Sequence, residues 1–280
     1  MKYPKVISAD VDFTLVPRHQ DFSKRTIDTI NTLRKNGTYF GIASGRPKNE
    51  LAPLIARWDE LGVGYDFLIG SNGCVLIDLI DNKEYEYYFM QPDQIKEAFE
   101  VMKPFKVNPT CAINGESWSG YYDEFVELSS QYLGVPARVC ESDDYHEMWQ
   151  NPAGKIMFRL NDPELMPEIE EYVSKHCPPD IVGFKTNPRA FEFTDYRANK
   201  GVALKNFCAL HDIDIADSCA FGDTTNDNEM LKAAGTGVCL LNGTDDTKAC
   251  ADYITDLDVD HEGFADFIEK HVFIPNGIRF

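Results

Sequence analysis

At 280 residues the chain has room for one large or two modest domains with real cores, so it is not a small scaffold that needs stapling. Its 46 acidic residues against 27 basic ones give a net charge of −19, a surface that repels polyanions and anionic membranes and excludes nonspecific nucleic-acid binding. With 43% hydrophobic and 12% aromatic residues the composition is that of an ordinary globular protein, with neither a disordered tail nor a repeat.

Residues 1–5 lead straight into an apolar run at 6–9, which reads as a buried strand ending at Asp10 and leaves no apolar core for a secretory leader. Ser23 suits the N-cap of a helix whose Ile27, Ile30 and Leu33 share a face, and Gly37 suits its close. A second strand follows at 39–43. Next come a helix carrying Leu51, Leu54, Ile55, Trp58 and Leu61 up to Gly62, and a third strand at 67–70. Strand and helix in alternation predict a Rossmann-like, doubly wound α/β core with a parallel sheet.

From about residue 84 to 188 that rhythm breaks, in a stretch crowded with aromatic, proline and acidic residues. Helices are expected at 94–102, 124–133 and 163–176. The segments 155–159 and 190–193 read as half-buried strands, which suits an α+β sheet. The aromatic group 85–89 reads as core or edge strand of that insertion rather than as a substrate platform. The division is therefore core 1–84, inserted α+β domain 85–188 and core 189–280, with hinges near 81–84 and 188–189. The core pattern resumes with a helix bearing Ala203, Phe207 and Leu210, a fourth strand at 218–221, a helix at 229–234, a fifth strand at 238–241 and an amphipathic segment at 264–271.

No stretch reaches the roughly 20 apolar residues of a bilayer span. The eight cysteines show neither a CxxC pair nor a histidine at zinc spacing, and are expected to be reduced thiols of a cytoplasmic protein. His19, His146, His211 and His261 have no partner at metal spacing and read as structural.

Chemistry concentrates just after the strands, where open parallel sheets bind their ligands. Asp10-Val11-Asp12-Phe13-Thr14 follows the first strand, Ser44-Gly45-Arg46-Pro47 the second and Ser71-Asn72-Gly73 the third. Gly222-Asp223-Thr224-Thr225-Asn226-Asp227 follows the fourth, and Lys200-Gly201 opens the helix leading into it. Four carboxylates at one edge repel unless a cation neutralises them, and all-oxygen ligation suits Mg²⁺. Lys200, Arg46 and Ser44 then supply donors for an anion beside the metal, phosphate above all. A carboxylate can attack phosphorus, and a second acid can protonate the leaving oxygen and later deprotonate water.

These four motifs, in this order, resemble those of the haloacid dehalogenase superfamily. The insertion between the second and third, with Ser71-Asn72-Gly73 before it, resembles the Cof-type phosphatases with a large α/β cap, type IIB. The resemblance spans nearly the whole chain. It implies a Mg²⁺-dependent phosphatase of small phosphorylated metabolites, sugar phosphates first, acting as a monomer or homodimer with no nucleic-acid or membrane partner. By position, Asp10 matches the nucleophile and Asp12 the general acid and base. Ser44, Gly45 and Lys200 match the phosphate binders, Asn226 a phosphate contact, and Arg46 and Asn72 positions near the substrate. Asp10, the backbone carbonyl of Asp12 and Asp223 match the metal ligands, with Asp227 supporting the metal's waters. Phe13 departs from the pattern, which has glycine there, and its ring narrows the space beside the catalytic turn. The insertion is expected to close over the site, exclude water and admit only small compounds.

Plainer readings stand beside these. Asp10 and Asp12 could be turn acids, Ser44 a helix cap, Asp223 and Asp227 loop and cap residues, Lys200 a surface lysine and Arg46 part of a structural ion pair. A different class of function is a non-catalytic phosphometabolite-binding or receiver-like regulatory module. That module also gathers acids, a hydroxyl and a lysine at a sheet edge, but has no need of a hundred-residue insertion.

Overall fold

The computed structural model describes residues 1–17 and 20–279, so His19 lies outside the described residues. In chain order it runs β1 (Val6–Asp10), α1 (Lys24–Lys35), β2 (Tyr39–Ala43), α2 (Lys48–Leu61), β3 (Phe67–Gly70), β4 (Val75–Asp78) and β5 (Lys83–Glu86). There follow α3 (Pro92–Met102), β6 (Val107–Ile113), β7 (Glu116–Ser119), α4 (Glu124–Leu133), β8 (Ala137–Val139), β9 (Ile156–Leu160), α5 (Met166–His176), β10 (Ile181–Asn187) and β11 (Ala190–Asp195). The chain ends with α6 (Lys200–Leu210), β12 (Ser218–Gly222), α7 (Asn228–Ala233), β13 (Thr236–Cys239), α8 (Asp245–Lys248), β14 (Tyr253–Ile254) and α9 (Gly263–Ile268). These elements form two compact units: Met1–Gly45 and Ile55–Glu86 with the chain from Asn199 onward, and Arg46–Leu54 with Tyr87–Ala198.

The first unit is built on a sheet ordered β14-β13-β12-β1-β2-β3-β4-β5 among the described residues. From β14 to β3 every pairing is parallel. Residues of β1, β3 and β12 are buried throughout, as strands covered on both faces must be. Ser23 caps α1 by accepting the Thr26 N–H at 3.1 Å, and Ile30 and Leu33 form its buried face. Gly37, with φ +88°, turns the chain out of the helix toward β2.

Beyond β3 the sheet continues where the sequence pattern ends it. Ser71, Asn72 and Gly73 all have positive φ (47°, 54° and 103°) and reverse the chain, so β4 pairs antiparallel with β3 and β5 with β4. β5 has no fully buried position, which is how a polar edge strand escapes a hydrophobicity reading. It also holds residues 83–86 in this sheet, so the first unit runs on to Glu86 and Tyr85 is an edge-strand residue.

The second unit carries a six-stranded sheet ordered β10-β11-β9-β6-β7-β8, antiparallel except for β7 with β8. Ile95, Ala98 and Met102 of α3 and Ile169 and Val173 of α5 pack with Ile156, Phe158, Phe191 and Phe193 in its core. The segment expected to be half-buried at 190–193 is instead part of a strand buried at all six positions, because β11 lies between β10 and β9. Of its two acids, Glu192 is accommodated by an ion pair with Lys155 at 2.7 Å and Asp195 by one with Arg197 at 2.7 Å. Residues 188–189 form the turn of the β10–β11 hairpin, and the unit continues to Ala198.

All eight cysteines are free. His146, His211 and His261 each pair with an aspartate, Asp144, Asp78 and Asp258 respectively. No described helix is long and apolar enough to cross a membrane.

Candidate active site

The parallel strands deliver their loops to one edge of the first unit's sheet. Asp10 ends β1, Ser44 follows β2, Asn72 follows β3 and Asp223 follows β12. Lys200 reaches that edge as the first residue of α6. The Asn199 side chain starts the helix by accepting the Val202 N–H at 2.9 Å. The next residue must be Gly201, since a Cβ there would lie 2.3 Å from the Glu229 carbonyl oxygen of α7. This close helix contact sinks Lys200 into the interior with no solvent exposure.

Lys200 Nζ donates to Asp10 Oδ1 and, at 2.7 Å, to Asp227 Oδ1. The other Asp227 oxygen accepts the N–H groups of Asp223 at 2.9 Å and Thr224 at 3.2 Å, so Asp227 folds the loop that presents Asp223. Thr14 Oγ donates to Asp223 Oδ1 at 2.8 Å, joining the loop after β1 to the loop after β12.

A second group gathers beside this one. The Asn72 N–H donates to the Ser44 carbonyl at 3.3 Å, and Asn226 Nδ2 donates to Asn72 Oδ1 at 3.1 Å. Gly45 leaves the space for it, as a Cβ there would stand 2.8 Å from Asn72 Oδ1. Ser44, Asn72 and Asn226 therefore form one hydrogen-bonded rim, with Gly45 close against it. Arg46 clusters with the second unit, and the start of α2 is tied there by Asn49, which donates to Ser117 Oγ at 2.8 Å.

Asp12 lies in a turn closed by the Phe13 N–H donating to the Val16 carbonyl at 2.8 Å. Phe13 occupies left-handed backbone with φ +66°, which is where glycine is favoured. Asn242 holds the turn from outside, its Nδ2 donating to the Phe13 carbonyl at 2.9 Å while its Oδ1 accepts the Val259 N–H at 2.9 Å. Thr14 stands within a motif visible in the sequence. Nothing in the sequence marks Asn242, because its partners Phe13 and Val259 are brought near only by the fold, whereas the cap at Asn199 is local and its residue type is a signal available in the sequence.

Asp10, Asp223 and Asp227 are all buried, and each offers an oxygen within 4.8 Å of the others. Burial pushes the Asp10 carboxyl up to about 7, against the opposing pull of Lys200 and with further push from Asp227. Burial likewise holds Asp223 well above the usual carboxylate range, with Asp10 and Asp227 adding to it. Burial alone would lower Lys200, but Asp10 and Asp227 outweigh it and hold the ammonium above its ordinary value. Three buried carboxyl groups thus crowd around one ammonium that bonds only two of them, an arrangement that a divalent cation would balance. The all-oxygen donor set fits a hard ion such as Mg²⁺.

A family model described as haloacid dehalogenase-like hydrolase matches residues 7–268. The chain is 25% identical over 274 residues to the 5-amino-6-(5-phospho-D-ribitylamino)uracil phosphatase YitU of Bacillus subtilis, covering 96% of this chain and 97% of that protein. It is 26% identical over 268 residues to YcsE, a phosphatase of the same name from the same organism, with 96% of each covered. Among solved structures, that of the HAD subclass IIB sugar phosphatase BT4131 matches with a TM-score of 0.81 at 20% identity, covering 96% of this chain and 100% of that one. With its carboxylate-lined sheet edge, its insertion and this match over nearly the full length, the chain belongs to the haloacid dehalogenase-like hydrolases and is an enzyme of their Cof-type phosphatase branch.

Proposed function

We propose that the enzyme is a Mg²⁺-dependent phosphomonoesterase of small phosphorylated metabolites, sugar phosphates foremost, working through an aspartyl-phosphate on Asp10. The observation that carries this reading is the buried ammonium of Lys200 shared between Asp10 and Asp227 beside the Ser44, Asn72 and Asn226 rim. The phosphatase names of the relatives support it. Eight free cysteines support a cytoplasmic setting.

In this mechanism Lys200, the Ser44 hydroxyl and Asn226 hold the phosphoryl oxygens, and Arg46, adjoining Ser44 and Gly45 in the chain, serves the substrate. A carboxylate oxygen of Asp10 attacks phosphorus while the ester P–O bond breaks, and Asp12 gives its proton to the departing alcohol oxygen. Asp12 then takes a proton from water as the water oxygen attacks phosphorus. The bond between phosphorus and Asp10 breaks, and orthophosphate leaves. Asp10, Asp223 and the Asp12 backbone carbonyl would hold Mg²⁺, with Asp227 ordering its waters; bound there, the ion offsets negative charge on carboxylate and phosphate.

The test is phosphate release from p-nitrophenyl phosphate and from a panel of phosphorylated metabolites. Turnover that requires Mg²⁺, stops with EDTA and vanishes in Asp10→Asn supports the reading. A protein that binds these esters without releasing phosphate is a regulatory module instead.

A further inference from the structure

The turn that carries Asp12 bears two features the mechanism leaves unused. Phe13 adopts a left-handed conformation that suits glycine, yet carries a large apolar ring that is 38% exposed. An apolar ring therefore stands partly in solvent on the residue that directly follows the one read as the proton donor. Backbone strain and an exposed ring are both unfavourable, and a residue that incurs both in one place is a candidate for a contact that covers the ring.

We propose that Phe13 is the surface on which the departing alcohol lies, and that the enzyme prefers phosphate esters of cyclic alcohols over open-chain polyols. This rests on Asp12 as the general acid. To protonate the ester oxygen Asp12 must reach it, so the alcohol on that oxygen occupies the space beside Asp12, where Phe13 is the next residue. A phenyl ring packs well against a flat partner, either the C–H face of a pyranose or an aromatic ring. A flexible polyol would lose torsional freedom there and press hydroxyls against a surface that offers them no hydrogen bond.

The experiment compares kcat/KM for glucose 6-phosphate and sorbitol 6-phosphate, a ring and a chain of equal carbon number, with phenyl phosphate as the aromatic arm. Wild type is expected to favour the rings, and Phe13→Gly to lower the ring-to-chain ratio by about three- to tenfold, chiefly through KM. Phe13→Tyr should keep the ratio and Phe13→Leu should fall between. Glycine suits the left-handed position, so the Phe13→Gly variant is expected to fold. An unchanged ratio in Phe13→Gly, or a wild-type preference for the chain, overturns the proposal while leaving the phosphatase reading intact. Sedimentation that shows wild-type dimers lost in Phe13→Gly, with the ratio unchanged, assigns the surface to a second copy and also overturns it. No phosphate release from any of the three esters overturns both readings.

Discussion

Lys200 and Asp227 form an ion pair of 2.7 Å in which neither side chain has any exposure to solvent. Breaking such a pair from the cationic side leaves charge with no water to compensate it. Lys200→Met is therefore expected to lower stability by about 3 kcal/mol or more in urea unfolding without divalent cations, and to abolish turnover. A variant as stable as wild type would show that the carboxylates do not depend on this ammonium.

Asp10→Asn separates chemistry from stability in the opposite sense. An amide is a poor nucleophile, so phosphate release should fall by about 10³-fold or more. Removing one of three crowded carboxylates should leave the melting temperature in EDTA at or above that of wild type. Asp12→Asn should instead release alcohol from an activated ester faster than phosphate, a burst that stopped-flow would resolve, because hydrolysis of the intermediate loses its base.

Mg²⁺ should stabilise the folded chain by mass action, by about 2.7 kcal/mol at a concentration one hundred times its Kd. Asp223→Asn should lose most of that gain. Thermal unfolding across a Mg²⁺ titration, with Ca²⁺ in parallel, measures it independently of activity.

In the second unit, Glu147 accepts the Ser142 hydroxyl and the N–H groups of Glu141 and Ser142, and these bonds hold its carboxyl down at about 2 against an ordinary 4.5. A carboxylate with a depressed folded-state pKa stabilises the fold above its unfolded value and loses that contribution as pH falls through the folded one. Glu147→Gln should accordingly be less stable than wild type at pH 7. The difference should shrink between pH 4.5 and pH 2, as urea unfolding at the two ends would show.

Gly201→Ala tests how Lys200 is placed. The added Cβ would meet the Glu229 carbonyl oxygen at 2.3 Å, so α6 must move away from α7. A stability loss of about 1–3 kcal/mol is expected, with a fall in kcat larger than any change in KM.

The parallel core was readable because its strands are continuous apolar runs and the site residues stand directly after them: Asp10 after β1, Ser44 after β2, Asp223 after β12. β4 and β5 escaped because the chain reverses from Ser71 onward, a serine in a left-handed conformation that its residue type does not announce, and because β5 is a polar edge. The alternation Phe191-Glu192-Phe193 reads as a strand with one wet face. Partners supplied by the fold, among them Lys155, thirty-seven positions away, and the Thr186 hydroxyl of the neighbouring strand, let Glu192 be buried. Asn242 is silent in the sequence for the same reason, since its partners Phe13 and Val259 lie far along the chain.

The place of β1 between β2 and β12 also sets an order of assembly during synthesis. β1 leaves the ribosome first and soon finds β2, but the strand for its other edge ends at Gly222. At about 5–20 residues per second, that apolar edge waits some ten seconds or longer for its partner. Meanwhile all six strands of the second unit's sheet emerge within one stretch, 107–195, and can pair among themselves. The half-made first sheet is thus the species most open to wrong edge pairing and to chaperone capture, and growth temperature and translation rate should govern soluble yield more than the stability of the finished enzyme.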